Sequence, residues 1–174
     1  VYTISPEKHY SYAWIELYNP TDHDVKLISR RGLEGSGTYR SDNGGLWEHA
    51  DNGLSEAAIT ALTMTPSGKL LAGTWGSGVF ESADNGDHWV SNSSGLDIPS
   101  YVRSLVVNDS GVVFAATSSG VFRLDRDSST WQKKSEGLPQ PQSKTFSIGK
   151  NSTGTIYVGT GVSGVYKTVD DGET

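Results

Sequence analysis

The sequence predicts an all-β fold, and three observations support this prediction. Twenty-one of the 174 residues are glycine and 10% are aromatic, which is typical of short strands joined by many turns. No stretch of the chain keeps a helical apolar period, and turn signals interrupt it at short intervals. A triplet of glycine, a β-branched residue and an aromatic residue recurs about every 42 residues.

The composition also narrows the classes of function. The formal net charge of −6 disfavours binding to nucleic acid or to an anionic membrane. The absence of cysteine excludes disulfides, thiolate metal sites and a thiol nucleophile. No apolar run approaches the roughly 20 residues of a membrane helix, so no membrane insertion is expected. No phosphate-binding or dinucleotide-binding motif occurs, and we expect no cofactor.

The repeat unit combines a turn, a strand-like run, the glycine triplet and a tryptophan. The tryptophans of successive units lie 42 residues apart, and a Gly-Leu pair follows each of them. The triplets begin at Gly37, Gly78, Gly120 and Gly164, and the tryptophans are Trp47, Trp89 and Trp131. One unit therefore has the length of a propeller blade.

Turn residues divide each unit into four short segments, which the second unit shows in order. Residues 58–65 form the first predicted strand, which ends at Pro66-Ser67-Gly68. Gly76-Ser77 separates the second predicted strand, 69–75, from the third, 78–82. An Asp-Asn-Gly turn then leads to the fourth, 88–92. Each unit is thus predicted to be a meander of four antiparallel strands.

Such sheets must stack face to face, because a single sheet cannot bury both of its faces. Arrangement around an axis is the β-propeller solution, with about 40 to 45 residues in each blade. A β-helix would have a shorter repeat. A β-sandwich would not need the same order of glycine, aromatic residue and tryptophan to recur about every 42 residues. We predict about four blades, the last of them incomplete, at residues 1–55, 56–97, 98–140 and 141–174.

Residues 82–89, Ser-Ala-Asp-Asn-Gly-Asp-His-Trp, carry a resemblance to a known family. They match the Asp-box, or BNR repeat, pattern S-x-D-x-G-x-x-W at every defined position. Residues 168–174 resemble it with threonine for serine, 41–47 are one residue short, and 124–131 keep little more than the tryptophan. The predicted Asp-box residues are Ser41, Asp42, Gly44, Trp47, Ser82, Asp84, Gly86, Trp89, Trp131, Thr168, Asp170 and Gly172.

We expect the Asp-box residues to be structural. The aspartate can accept hydrogen bonds from N–H groups of its turn, and the following Asn-Gly or Asp-Gly suits a positive φ. The tryptophan offers a large apolar surface beneath the hairpin, and its indole N–H can find a local acceptor. The resemblance places these hairpins at the blade periphery, away from the central channel. A calcium loop of the EF-hand type would need a glutamate at its twelfth position, where Gly95 stands, so no metal is expected.

The first 36 residues fit the repeat less well. They can be laid over the following unit as a divergent first blade, which we favour because residues 35–47 run directly into an Asp-box. Residues 14–27 also resemble a strand pair of the lamin-tail domain, and this alternative stays open.

The last unit stops before its tryptophan and its fourth strand, and three arrangements could complete the sheet. Residues 1–5 could supply the outer strand, copies of the chain could associate through the open last blade, or the chain could be a piece of a larger propeller. We expect the third arrangement, because a natural terminus rarely falls within a motif.

The Asp-box resemblance implies several functions. Similar propellers occur in sialidases, xyloglucan-type glycoside hydrolases, sortilin-type receptors and a photosystem II assembly factor. The F/Y-R-I-P motif of sialidases is absent. A glycosidase needs two facing carboxylates, and no acid stands in a recognisable setting. The acids outside the box positions include Glu16, Glu34, Glu48, Asp97 and Glu136.

We therefore expect a non-catalytic module that acts as a binding or assembly scaffold for a protein or a polysaccharide. Its expected location is extracellular or periplasmic, at the cell surface. Trp75 is the candidate ligand-binding residue, because the equivalent positions are Ser118 and Gly161 and the repeat does not require an indole there. The alternative function is a fragment of a propeller glycoside hydrolase of the xyloglucanase or sialidase type.

Overall fold

The computed structural model describes residues 25–30, 37–42, 46–54, 57–139, 144–161 and 163–173. Fourteen strands and no helix lie in these ranges, and the strands form four antiparallel sheets. A helix suited to crossing a membrane is accordingly not found among these residues. The all-β prediction is confirmed.

Each sheet is a meander whose strand order follows the chain. The first sheet contains β1 (Val25–Arg30), β2 (Gly37–Asp42) and β3 (Glu48–His49). The second contains β4 (Ile59–Met64), β5 (Leu70–Thr74), β6 (Val79–Ser82) and β7 (Val90–Ser91). The third contains β8 (Val102–Val107), β9 (Val113–Thr117), β10 (Gly120–Leu124) and β11 (Gln132–Lys133). The fourth contains β12 (Thr145–Lys150), β13 (Ile156–Thr160) and β14 (Val165–Thr168).

The sheets stack as propeller blades, with a hydrophobic cluster between each neighbouring pair. The first strands β4, β8 and β12 lie next to one another, and the later strands of each blade extend away from them. Leu71 of the second blade and Phe122 of the third, each 1% exposed, belong to one such cluster. The core is therefore divided among the blade junctions instead of lying within any one sheet.

A β-bulge at the second residue of the first strand recurs in three blades. The bulged residues, which are skipped in the pairing with the second strand, are Thr60, Arg103 and Phe146. The Thr60 hydroxyl donates to the Val102 carbonyl of the next blade. Arg103 Nη1 likewise donates to the Thr145 carbonyl oxygen at 3.2 Å. The bulges thus re-aim side chains toward the neighbouring first strand.

A threonine ends the second strand of each of the last three blades and fixes the following turn. Its hydroxyl donates to a glycine carbonyl across that turn, at 2.8 to 2.9 Å. The pairs are Thr74 with Gly78, Thr117 with Gly120, and Thr160 with Gly164. These turns and the starts of the first strands lie at the same end of the blades. We call this end the front face.

Candidate functional site

A stacked aromatic pair, Trp75 and Tyr101, lies on the front face. Trp75 follows β5 directly and Tyr101 precedes β8, so the pair spans the junction of the second and third blades. The ring centroids are 4.4 Å apart and the ring planes meet at 26°. Trp75 is 44% exposed and Tyr101 is 37% exposed. The junction therefore presents an aromatic surface to solvent.

Backbone hydrogen bonds hold both residues of this aromatic pair. Trp75 N donates to Ala58 O at 2.9 Å, and the main chains of Trp75 and Tyr101 form an antiparallel bridge. On the other side, Ser118 N donates to Tyr101 O at 3.0 Å, and Tyr101 N donates to Ser118 Oγ at 3.2 Å. The main chain of both residues is therefore fixed by two blades.

The backbone shows that Trp75, Ser118 and Gly161 are equivalent positions. Each donates its N–H to the residue before the first strand of its own blade, and the distances are 2.9, 3.0 and 3.1 Å. The fold makes this bond with a serine or a glycine as well as with a tryptophan. The indole of Trp75 is therefore not a requirement of the repeat.

A second aromatic contact lies at the next junction of the front face. The Arg103 guanidinium carbon is 4.3 Å from the ring centroid of Phe146, and Phe146 is 50% exposed. A Cβ at Gly161 would approach Phe146 Cε2 to 2.6 Å, so the small residue there leaves space for the ring. This cation–π contact adds a positive charge beside a half-exposed ring.

The front face thus combines flat apolar rings with a cation. Such a surface can stack against the C–H faces of sugar rings or hold apolar side chains of a peptide. Within the described ranges, no group of three or more His, Asp or Glu side chains is placed to hold a metal ion.

The predicted Asp-box loop at residues 82–89 lies at the other end of the second blade, where β6 finishes. Ser82 Oγ donates to Asp84 Oδ1 at 2.8 Å, and Gly86 N donates to Ser82 Oγ at 2.9 Å. His88 N donates to Asp84 Oδ1 at 2.9 Å, and His88 Nδ1 lies 2.8 Å from Asp84 Oδ2. The hydrogen bond from the His88 backbone is the main cause that lowers the pKa of Asp84 to about 2, and the His88 and Ser82 side chains add to it.

The loop at residues 168–173 repeats this arrangement in the fourth blade. Thr168 Oγ1 donates to Asp170 Oδ1 at 2.5 Å, and Gly172 N donates to Thr168 Oγ1 at 3.0 Å. The residue before the glycine is left-handed in both loops, with φ of 57° at Asn85 and 56° at Asp171. Asparagine and aspartate tolerate this conformation better than most residues.

The tryptophans of the second and third blades are buried at blade junctions. Trp89 is 3% exposed and Trp131 is 2% exposed. Their indole N–H groups donate at 2.8 Å to Ala50 O and Asn92 O, respectively. The prediction of a local acceptor is wrong, because each acceptor belongs to the preceding blade and not to the hairpin that carries the tryptophan. The indole binds one blade to another.

Other predicted residues have different surroundings. Trp47 is 43% exposed, unlike Trp89 and Trp131. Ser41 is buried, while Gly44 and the side chain of Asp42 lie outside the described residues. Among the acids outside the Asp-box positions, Asp97 forms an ion pair with Lys133 at 3.2 Å. Glu48 and Glu136 are exposed, and Glu16 and Glu34 lie outside the described residues.

Sequence comparisons give no family for this chain. No protein-family model matches it. No curated protein matches it either.

Solved structures with similar folds include an extracellular domain, a peptide-bound protein and an enzyme. The extracellular domain of BT4673 from B. thetaiotaomicron matches with a TM-score of 0.69 and 15% identity, over 90% of this chain and 21% of that one. YCF48 bound to a D1 peptide matches with a TM-score of 0.64 and 15% identity, over 86% and 48%. The gluconolactonase XC5397 from Xanthomonas campestris matches with a TM-score of 0.61 and 14% identity, over 87% and 55%.

The structural matches establish the fold. Together with the stacked meanders of three or four strands they confirm the predicted β-propeller architecture. The chain spans about one fifth of the length of the BT4673 extracellular domain.

Proposed function

We propose that this chain is a non-catalytic binding module of β-propeller blades, and that Trp75 and Tyr101 contact a polysaccharide. The observation that carries the proposal is the half-exposed indole, stacked on a second ring where the repeat accepts serine or glycine. Contact with water is unfavourable for a large exposed aromatic surface, so a ligand that covers this surface gains binding free energy. The exposed part of the stacked rings offers an apolar surface that suits the apolar face of a sugar ring.

A protein ligand is the second candidate. Ile98, which is 51% exposed in the connection beside the aromatic pair, and Phe146 would suit apolar side chains of a peptide. YCF48, a protein of similar fold, is bound to a D1 peptide, and this supports the second candidate.

We propose that the Asp-box loops support the blades and take no part in ligand binding. Asp84 and Asp170 accept hydrogen bonds within their own loops, at the blade end opposite to Trp75. The blade boundaries predicted from the sequence remain part of this proposal. A location outside the cytoplasm is supported by similar folds in extracellular domains.

Affinity electrophoresis tests the proposed polysaccharide site. The wild-type chain, Trp75→Ala and Trp47→Ala are run through gels that contain one of a panel of soluble neutral or acidic polysaccharides. Trp47 is a matched control, since it is 43% exposed but does not lie on the front face. We expect at least one polysaccharide to retard the wild type and Trp47→Ala, and Trp75→Ala to lose most of the retardation.

Two results would contradict the proposal. If no polysaccharide retards the wild type, the proposed ligand class is wrong, and a peptide array then tests the second candidate. If all three proteins are retarded equally, the site is wrong. Release of reducing sugar from a retarding polysaccharide would favour the glycoside hydrolase alternative.

A further inference from the structure

A polar cavity of about 150 Å³ lies between the second and third blades, at the end of the blades opposite to the front face. The turns after β4 and β8 line it, together with the loop after β10. Its buried lining is apolar, and its charged side chains come from both blades. The apolar residues are Leu71, Val113 and Leu124, and the charged residues are Lys69, Glu81, Asp109, Asp125 and Arg126. The proposed function does not use this cavity.

Arg126 stands where the second and fourth blades have the aspartate of the Asp-box. The register of the sheets shows this equivalence, because Ser82, Leu124 and Thr168 each pair with the first residue of the second strand in their own blade. Two positions later the three blades have Asp84, Arg126 and Asp170. The third-blade loop therefore lacks the carboxylate that the other two loops contain and carries a cation in its place.

The third-blade loop keeps its shape without the side chain of Arg126. Ser128 N donates to Asp125 O at 3.0 Å, and Thr130 N donates to Ser128 Oγ at 3.0 Å. Arg126 is exposed, and among the described residues its guanidinium takes part in no hydrogen bond or ion pair. Its stem packs over the neighbouring turn, since a Cβ at Gly111 would lie 3.5 Å from Arg126 Cγ and Cδ. The loop therefore does not require an arginine at this position.

The other charged side chains of the cavity are already paired. The pairs are Lys69 with Glu81 at 3.1 Å, Asp125 with Arg123 at 2.8 Å, and Asp109 with Lys150. Asn92 Nδ2 also donates to Glu81 Oε2, at 2.8 Å. Within the described part of the chain, Arg126 is thus the charged group of this cavity that lacks a counter-ion. An anionic ligand could supply one.

The composition of the lining favours one class of anion. A guanidinium group can bind a carboxylate through two parallel N–H···O hydrogen bonds. Because three carboxylates and two cations line the cavity, like-charge repulsion opposes a phosphate dianion and favours a ligand with a single negative charge. A paired carboxylate keeps lone pairs that can accept from hydroxyl groups of a ligand. The buried leucine and valine side chains suit the C–H groups of its carbon skeleton.

We propose that this cavity binds a small hydroxylated monocarboxylate, about the size of one sugar residue. Arg126 holds the carboxylate, and the carboxylates of Glu81 and Asp125 accept hydrogen bonds from the hydroxyl groups. As at Trp75, the signal is a residue that departs from the repeat where the fold does not require it. The inference does not depend on the polysaccharide site of the front face, because the two sites lie at opposite ends of the blades.

An NMR titration of the ¹⁵N-labelled chain with sodium D-glucuronate tests the proposal at constant ionic strength. D-glucose is the neutral control ligand, and sodium acetate keeps the carboxylate but lacks the hydroxyl groups. We expect saturable shifts at the amide of Gly111 and at Nε of Arg126 with glucuronate. Glucose and acetate should each bind at least about tenfold more weakly.

Arg126→Gln is the matched protein variant, and Lys167→Gln is its control. Both changes remove one positive charge from an exposed side chain, but Lys167 lies on β14 and does not line the cavity. We expect Arg126→Gln to keep the wild-type melting temperature and to bind glucuronate at least about tenfold more weakly, while Lys167→Gln binds normally. The proposal would be overturned by equal binding of the two variants, by equal binding of glucuronate and either control ligand, by no saturable shifts, or by shifts concentrated around Trp75.

Discussion

The indole of Trp131 in the third blade donates a hydrogen bond to the main-chain carbonyl of Asn92 in the second blade, at 2.8 Å. Trp89 makes the same bond to Ala50 O one junction earlier. The repeated tryptophan is therefore a blade-to-blade contact that joins apolar packing to one satisfied backbone acceptor. This relationship explains why the tryptophan recurs with the period of the blade.

Removal of the Trp131 side chain should destabilise the propeller severely. Trp131→Ala leaves a cavity at a junction where the residue is 2% exposed and leaves Asn92 O without its donor, so we expect a loss of about 3 to 5 kcal/mol in the free energy of unfolding. Trp47→Ala should cost far less, because Trp47 is 43% exposed. Urea unfolding followed by far-UV circular dichroism measures both, and similar losses would contradict the junction role.

Asp84 should give the second blade a stability that depends on pH. Its folded-state pKa of about 2 lies below the ordinary value of 3.8, so the ionised carboxylate stabilises the fold above about pH 4. That contribution is lost as the pH falls toward 2. The difference in melting temperature between the wild type and Asp84→Asn should be constant above pH 4 and should shrink below it. An NMR titration that puts this pKa at or above 3.8 would contradict the account.

Two glycines offer a matched test of the contact between blades. Gly95 and Gly137 both have positive φ, at 86° and 76°, so alanine at either position costs about 1 to 2 kcal/mol in backbone strain. At Gly95 the new methyl group would also collide with Trp131 O. We expect Gly95→Ala to lower the urea midpoint clearly more than Gly137→Ala does. Equal midpoints would show that the main chain at Trp131 does not pack against Gly95.

Tyr101 should assist ligand binding through its ring and not through its hydroxyl group. Tyr101→Phe keeps the surface that stacks on Trp75, whereas Tyr101→Ala removes it. With a polysaccharide that retards the wild type, we expect Tyr101→Phe to bind normally and Tyr101→Ala to bind about tenfold more weakly. Affinity electrophoresis at several polysaccharide concentrations measures the difference. Weak binding by Tyr101→Phe would instead indicate a hydrogen bond from the hydroxyl group.

Much of the fold could be predicted from the sequence, because the signals that define a blade are local. The predicted strands of the second unit agree with β4 to β7 within two residues at each end. Turn residues such as Gly68, with φ of 83°, mark the boundaries directly. The repeated threonine at Thr74, Thr117 and Thr160 was also visible in the sequence, although its turn-fixing hydrogen bond was not predicted.

Only one residue of the aromatic pair could be predicted from the sequence, because the two residues come from different blades. Trp75 stood out against Ser118 and Gly161 at the equivalent positions. Its partner Tyr101 carried no such signal, since it lies 26 residues away in the chain and the pairing depends on how neighbouring blades stack. The bulges that aim Arg103 and Phe146 likewise depend on strand register, which the pattern of residue types does not determine.

The polysaccharide dissociation constant of folded Asp84→Asn, compared with that of folded Trp75→Ala, tests the central claim most directly. The claim is that the acidic hairpins hold the blades together and that the front face binds the ligand. We predict that Asp84→Asn melts at a lower temperature but binds with wild-type affinity, while Trp75→Ala melts normally and binds at least about tenfold more weakly. Loss of binding by Asp84→Asn under conditions where it is fully folded would contradict the claim.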